Sequence, residues 1–185
     1  HLEEHCIDSF QVPDHDKILV EQIVSGGMPT YLITSCRGRA FNTALGYLMA
    51  GIAEDNGISV LELSFDENGL LFKTSGEVGP SMMYEAFKTG NHMEILERYV
   101  VSTQIFAKRF REVAGRSLII PKRIGAEEVS PQHFQQKADA LLQKHRNLED
   151  SLLMREAKQE IFNGDIDLAG LLDFLERSKQ SDVRL

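Results

Sequence analysis

Lys17–Val24 (KILVEQIV) and Thr30–Ser35 (TYLITS) are two runs rich in Ile, Val and Tyr, held apart by Ser25-Gly26-Gly27-Met28-Pro29. Branched and aromatic side chains suit a pleated surface and the glycine pair suits a tight turn, so the stretch predicts an antiparallel hairpin. Directly after it, Phe41, Leu45, Leu48, Met49 and Ile52 recur with the period of a helix that has one buried stripe, ending at Asn56-Gly57. Ser59–Phe65 (SVLELSF) alternates again, and Asp66-Glu67-Asn68-Gly69 leads into Leu70–Lys73, which predicts a second hairpin with Asn-Gly supplying the positive φ angles of its turn.

Beyond the second hairpin the period stays near 3.6. The glycine-rich segment Ser75–Pro80 (SGEVGP) reads as an internal boundary, and everything from Ser81 to Lys179 reads as helices joined by short breaks. One long helix is expected from about Met93 to Leu118, with Ile95, Tyr99, Phe106, Phe110 and Val113 inward, closed by Pro121. Ser130-Pro131 opens the next, with Phe134, Ala138, Leu141 and Leu142 on its apolar face. Leu152–Phe162 forms another, broken by Asn163-Gly164, and Asp167 is the expected N-cap of Leu168–Arg177, which turns Leu171, Leu172, Phe174 and Leu175 inward. The expectation is an α+β domain over residues 17–185, in which an antiparallel sheet of two hairpins around a helix is covered by a C-terminal helical half. Its sheet part spans about 17–74 and its helical part about 81–179. Residues 1–16 read as a flexible arm or an expression-derived lead. His1 at the start and the alternating Asp182–Leu185 at the end suggest a piece cut from a longer protein.

Composition narrows the function. Twenty Lys and Arg against 28 Asp and Glu give the 185-residue chain a net charge of −8, which excludes a generally basic nucleic-acid binder and requires any phosphate contact to come from a local patch. No run approaches the roughly 20 apolar residues that cross a bilayer, so no membrane partner is expected. Cys6 and Cys36 form no CxxC pair and no signal sequence opens the chain, which suggests a reduced, cytoplasmic protein.

Several kinds of chemistry lack their residues. GxxxxGK[ST] is absent, and neither Gly26-Gly27 nor Gly76-Glu77-Val78-Gly79 makes GxGxxG; both read as ordinary turns. The six histidines show no HxxxH or HExxH spacing. His5, Cys6, Asp14, His15 and Asp16 could collect a cation, although a terminal arm explains them more simply. Cys36 precedes Arg37-Gly38-Arg39, whose guanidinium groups could activate a thiol, but no histidine partner is apparent and a small buried hydrophobe is the simpler reading. Glu127-Glu128 and Glu149-Asp150 suit helix approaches. No catalytic, metal or cofactor residue is therefore expected in this chain.

Positive charge concentrates in one window. From Arg98 to Arg123 the chain carries Arg98, Lys108, Arg109, Arg111, Arg116, Lys122 and Arg123 against Glu112 alone, a net of +6. At 100° per residue Arg98, Lys108, Arg109 and Arg116 fall in one fan beside the Phe106/Phe110 stripe, while Arg111 points elsewhere. Such a ridge either contacts phosphates or pairs with the acidic remainder of the domain.

Three segments resemble the accessory DEAD/H-associated domain of the large helicase-related (Lhr-type) helicases of superfamily 2. Ile33–Leu45 (ITSCRGRAFNTAL) is similar to that family's strand, glycine, basic residue and Asn-x-x-Leu entering a helix. Ser102–Leu118 (STQIFAKRFREVAGRSL) resembles its F-x-x-R-F-R-x-x-A-x-R-x-L signature. Arg155-Glu156, Gln159–Phe162 and Leu168–Leu175 are similar to its closing helices. Arg37 and Phe41 depart from the apolar residue and the Val usual at their places, and Asn163–Ile166 looks like a small insertion.

The resemblance implies a nonenzymatic domain of an ATP-dependent, 3′ to 5′ DNA or RNA-DNA helicase, an ATP hydrolase engaged in nucleic-acid repair. ATP and magnesium would bind the parent's motor domains. The implied partners are the motor and winged-helix domains of the same chain, and single-stranded DNA or an RNA-DNA hybrid. Arg37, Arg39, Lys108, Arg109, Arg116, Lys122 and Arg123 are the expected phosphate contacts, without sequence readout. The competing expectation is an interdomain or protein-protein interaction module that does not touch nucleic acid; a small hydrolase using Cys36 stands behind both.

Overall fold

The computed structural model describes residues 17–88, 90–117, 119–120, 123–124, 127–128, 130–146, 148 and 151–180. These fall into two compact units, one ending at His92 and resuming at Asp167, the other comprising Met93–Ile166.

The first unit is built on a four-stranded antiparallel sheet in the order β1-β2-β4-β3, made of β1 (Leu19–Ser25), β2 (Met28–Thr34), β3 (Val60–Phe65) and β4 (Gly69–Thr74). The two hairpins and the helix between them match the sequence expectation, and the α+β class holds. Gly26 (φ 63°) and Gly27 (φ 78°) form the first turn, closing the register at Ser25↔Met28. Two left-handed residues in a two-residue loop match the twist of the flanking strands. The second turn works differently from the expected Asn-Gly geometry. Gly69 is not among the positive-φ glycines; instead Asp66 Oδ1 accepts the N–H groups of Asn68 and Gly69, each at 2.8 Å. Gly69 is required for space, since a Cβ there would lie 2.1 Å from the Ile33 carbonyl oxygen on the neighbouring strand.

Helix α1 (Arg39–Asp55) crosses from β2 to β3 and is buried continuously from Phe41 to Ala53. The five residues of the expected stripe are all buried, but the stripe is only part of the interface: β3 and β4 lie on one side of α1, and α7 (Leu168–Gln180) packs on it as well. Gly46 gives β3 its close approach, because a Cβ there would meet the Phe65 ring at 2.4 Å. Phe41 meets Phe174 of α7 edge to face at 5.8 Å. Each such buried side chain contributes about 1.5–3 kcal/mol. As expected, Asp167 caps α7, accepting the Gly170 N–H at 2.8 Å; Leu172, however, faces outward while Leu171, Phe174 and Leu175 are buried.

The segment Ser75–Pro80 does not divide the chain. Val78 is buried and its N–H donates to the Tyr31 hydroxyl at 2.7 Å, which ties the glycine-rich stretch to the sheet and leads into α2 (Pro80–Lys88). The division falls at His92 and Asp167 instead, because α7 packs on α1 and α2.

In the second unit the expected long helix is two. Helix α3 (His92–Val100, within this unit from Met93) ends in a turn, and α4 (Gln104–Arg116) starts afresh at Thr103, whose hydroxyl accepts the Phe106 N–H at 3.3 Å. The break re-aims the apolar stripe. Leu96 and Val100 are buried on α3, leaving Ile95 and Tyr99 half-exposed, while Phe106, Phe110, Val113 and Ala114 are buried on α4. A two-residue ladder joins β5 (Arg123–Ile124) to β6 (Glu127–Glu128). Helix α5 (Pro131–Arg146) begins after Ser130 and buries Ala138 and Leu142, with Phe134 against Gly115 of α4. Helix α6 (Leu152–Glu160), capped by Ser151, runs into a π-helical turn at Ile161–Asp165, the form taken by the expected break at Asn163-Gly164. Among the described residues no helix is long and apolar enough to cross a membrane, and no group of three His, Cys, Asp or Glu is placed to hold a metal ion.

Candidate nucleic-acid interface

The sequence-selected cations lie in both units, and their surroundings differ sharply. In the second unit Lys108, Arg109, Arg111 and Arg116 belong to α4, whose buried Phe106/Phe110 stripe fixes the direction of every other side chain on it. Arg109 lies on the flank of that stripe. Its Nε and Nη2 donate to the two carboxylate oxygens of Asp165 at 2.7 and 2.6 Å, and its Nη1 donates to Glu112 Oε2 at 2.7 Å. With Asp165 18% exposed and Arg109 30%, this is a partly desolvated fork, the geometry in which guanidinium and carboxylate pair best. The hydrogen bonds to Asp165 raise the Arg109 pKa further above its ordinary value, so the charge is permanent and internally compensated. Asp165 stands at the end of the π turn.

Arg116 pairs with Glu160 at the end of α6, and Arg111 reaches Asp139 of α5 at 3.3 Å. Arg98 belongs to α3, so the break at Thr103 removes it from the helical fan that sequence reasoning drew. Lys108 is different from its neighbours. It is exposed, and among the described residues no carboxylate lies within ion-pair distance of it. Lys122 lies outside the described residues, and the backbone of Arg123 belongs to β5.

In the first unit Arg37 and Arg39 flank Gly38, the N-cap of α1 at φ 83°. Ser35 and Asn42 set this loop: Ser35 Oγ donates to Asn42 Oδ1 at 2.5 Å, and Asn42 Nδ2 donates to the Asp66 carbonyl at 2.9 Å. The Arg37 guanidinium lies 4.9 Å above the Phe41 ring and 5.2 Å from that of Phe174, with Nη1 donating to the Gly170 carbonyl at 3.4 Å. Arg37 and Phe41 therefore stack on one another. Such contacts hold a guanidinium through its face and desolvate it. Arg39 is exposed; its backbone N–H donates to Glu67 Oε2 at 3.2 Å, leaving the side chain to solvent. Cys36 is exposed on the same loop, which corrects the expectation of a small buried hydrophobe.

Of the sequence-selected cations, Lys108 in one unit and Arg39 in the other are exposed with no side-chain carboxylate partner among the described residues, beside arginines engaged internally. The acids that engage them, Asp165, Glu160 and Asp139, carried no sequence signal. Glu112, three residues after Arg109 on the same helix face, did.

Residues 12–185 match the DEAD/H associated family. Among curated proteins, the chain is similar to the ATP-dependent helicase Lhr-Core of Methanothermobacter thermautotrophicus, 26% identical over 176 residues covering 94% of this chain and 20% of that protein. It is also similar to the Lhr-Core helicase of Saccharolobus solfataricus, 22% identical over all of this chain and 22% of that one. Among solved structures, it is similar to the Mycobacterium smegmatis helicase Lhr bound to ssDNA and AMP-PNP, with a TM-score of 0.77 at 22% identity over 97% of this chain and 23% of that chain. The chain spans about a fifth of the length of the curated relatives named here.

Proposed function

The chain belongs to the DEAD/H associated family, and on that premise we propose that it is a nonenzymatic accessory domain of an Lhr-type ATP-dependent helicase, bracing the motor domains and touching the tracked strand through phosphates. In this reading ATP and magnesium are handled by the motor domains of the parent, outside these residues, and the domain's neighbours are those motor domains and the winged-helix domain. The tracked strand is single-stranded DNA or one strand of an RNA-DNA hybrid. Lys108 carries the proposal, because it keeps an exposed cation, unpaired among the described residues, in a chain of net charge −8. Arg39 supplies the second contact, and Lys122 and Arg123 remain members of the set. Arg37, Arg109 and Arg116 contribute less, since stacking or carboxylates already engage them.

The test is a salt titration of single-strand binding by the helicase that carries this domain, comparing wild type with Lys108→Glu and Arg39→Glu. Removing one phosphate-binding cation should flatten the slope of log K against log salt by roughly 0.7. Unchanged slopes and affinities in both folded variants would reject the phosphate role and favour the alternative, an interdomain module without nucleic-acid contact. That alternative draws its support from the internal pairing of Arg37, Arg109 and Arg116 and from an exposed apolar strand.

A further inference from the structure

The two edges of the sheet are finished differently. On the β3 edge the register with β4 shifts between Val60 and Glu62, and Glu62 and Ser64 stand exposed beyond the shift. A bulge and a charge are the usual guards of a free edge. Strand β1 has neither bulge nor proline nor lysine. It runs seven residues in unbroken register with β2, from Leu19↔Thr34 to Ser25↔Met28, and Glu21 is its single charge. Its apolar side chains are exposed on both faces. Val20 (44%) and Val24 (73%) lie on the face that carries Tyr31 and Ile33, and Ile23 (52%) lies on the other. A long, regular, unguarded edge with apolar residues on both sides is fit for pairing with a further strand.

Because the chain spans only about a fifth of its curated relatives, the bulk of such a polypeptide lies outside these residues and is available to cover the edge. We infer that β1 is an acceptor edge: an extended segment from another part of the same helicase polypeptide, apolar at alternate positions and cationic opposite Glu21, adds to the sheet as a fifth strand. The inference rests on the reading of the chain as one domain of a larger helicase, and it supplies the surface by which that domain is joined to its neighbours. In such pairing, backbone N–H and C=O groups on the outer side of β1, which pairs with β2 alone among the described strands, gain partners, and Val20, Val24 and Ile23 are covered by side chains of the added strand.

The experiment compares amide hydrogen exchange across Leu19–Ser25 in the 185-residue chain and in the helicase polypeptide that carries it, both without nucleic acid. The outward-facing amides of β1 should exchange rapidly in the isolated chain and at least tenfold more slowly in the full polypeptide. Val24→Lys should leave the melting temperature of the isolated chain within about 1 °C and remove the added protection in the full polypeptide. Equal, rapid exchange in the two proteins would overturn the inference. So would slow exchange already present in the isolated chain: if it vanishes on dilution, a second copy occupies the edge, and if it persists, a segment of this chain does. Since nucleic acid is absent, these outcomes are independent of the salt titration that tests Lys108 and Arg39.

Discussion

Lys108 and Arg109 are adjacent in sequence and carry the same charge, yet their replacement by glutamine should act on different quantities. Removing the Arg109 head deletes two hydrogen bonds of 2.6 and 2.7 Å to Asp165 and leaves that carboxylate, 18% exposed, without its counter-charge. Hydrogen bonds to charged groups contribute about 1.5–3 kcal/mol each when desolvated, and partial exposure of the pair reduces the total to about 2 kcal/mol. For a chain of this size that lowers the melting temperature by about 4–8 °C. Lys108→Gln removes a solvated side chain and should change stability by less than about 0.5 kcal/mol. The order reverses in single-strand binding by the parent helicase. Lys108→Gln should flatten the salt slope by roughly 0.7, so that raising salt fourfold weakens binding by about 2.6-fold less than in wild type, while Arg109→Gln should leave the slope in place. Thermal melting of the 185-residue chain and a salt titration of the parent check the two halves. A stable Arg109→Gln variant with a flattened slope, beside an unaltered Lys108→Gln, would refute the assignment of Arg109 to the interior and Lys108 to the ligand.

Three further substitutions test the fold. Gly69→Ala should destabilise by more than about 2 kcal/mol in urea unfolding, because its Cβ would overlap the Ile33 carbonyl and force β2 and β4 apart. Thr103→Ala should cost about 1 kcal/mol by removing the cap of α4, with Thr103→Ser recovering most of it. Arg37→Lys should cost about 1 kcal/mol in the same assay by replacing a stacked plane with a point charge, with the salt slope of strand binding unchanged.

What the sequence made legible was local. Both hairpins, α1, the cap at Asp167 and the proline-opened α5 rest on residues within a few positions of one another, and each appears where the pattern puts it. Long-range choices were not legible. Ser75–Pro80 has the composition of a linker, but the Tyr31 hydroxyl, 47 residues away from Val78, holds it to the sheet. In the sequence the Phe106/Phe110 period continues backwards through Tyr99 and Ile95, which hid the break at Thr103, although α3 buries Leu96 and Val100 instead. Ser102-Thr103 was the available signal, since a hydroxyl residue before a periodic run is a cap as readily as a helical residue. The β1 edge was invisible for a related reason: alternation announces a strand without saying whether both its edges are paired.

Treating Lys108, Arg109 and Arg116 as one fan ignored their angles to the buried stripe. With Phe106 and Phe110 bracketing the centre of that stripe, Lys108 lies about 180° from it, Arg111 about 120°, Arg116 about 100° and Arg109 about 80°. Neighbouring elements pack against the stripe, and their carboxylates reach the side chains on its flanks. The observed pairs follow that order: Arg109 has a bidentate partner, Arg116 and Arg111 have one carboxylate each, and Lys108 has none among the described residues. An acidic chain therefore neutralises its flanking cations as a by-product of packing. On α4 the cation left without a carboxylate among the described residues, Lys108, is the one at the largest angle from the buried stripe, and neither local charge density nor the length of the basic run singles it out.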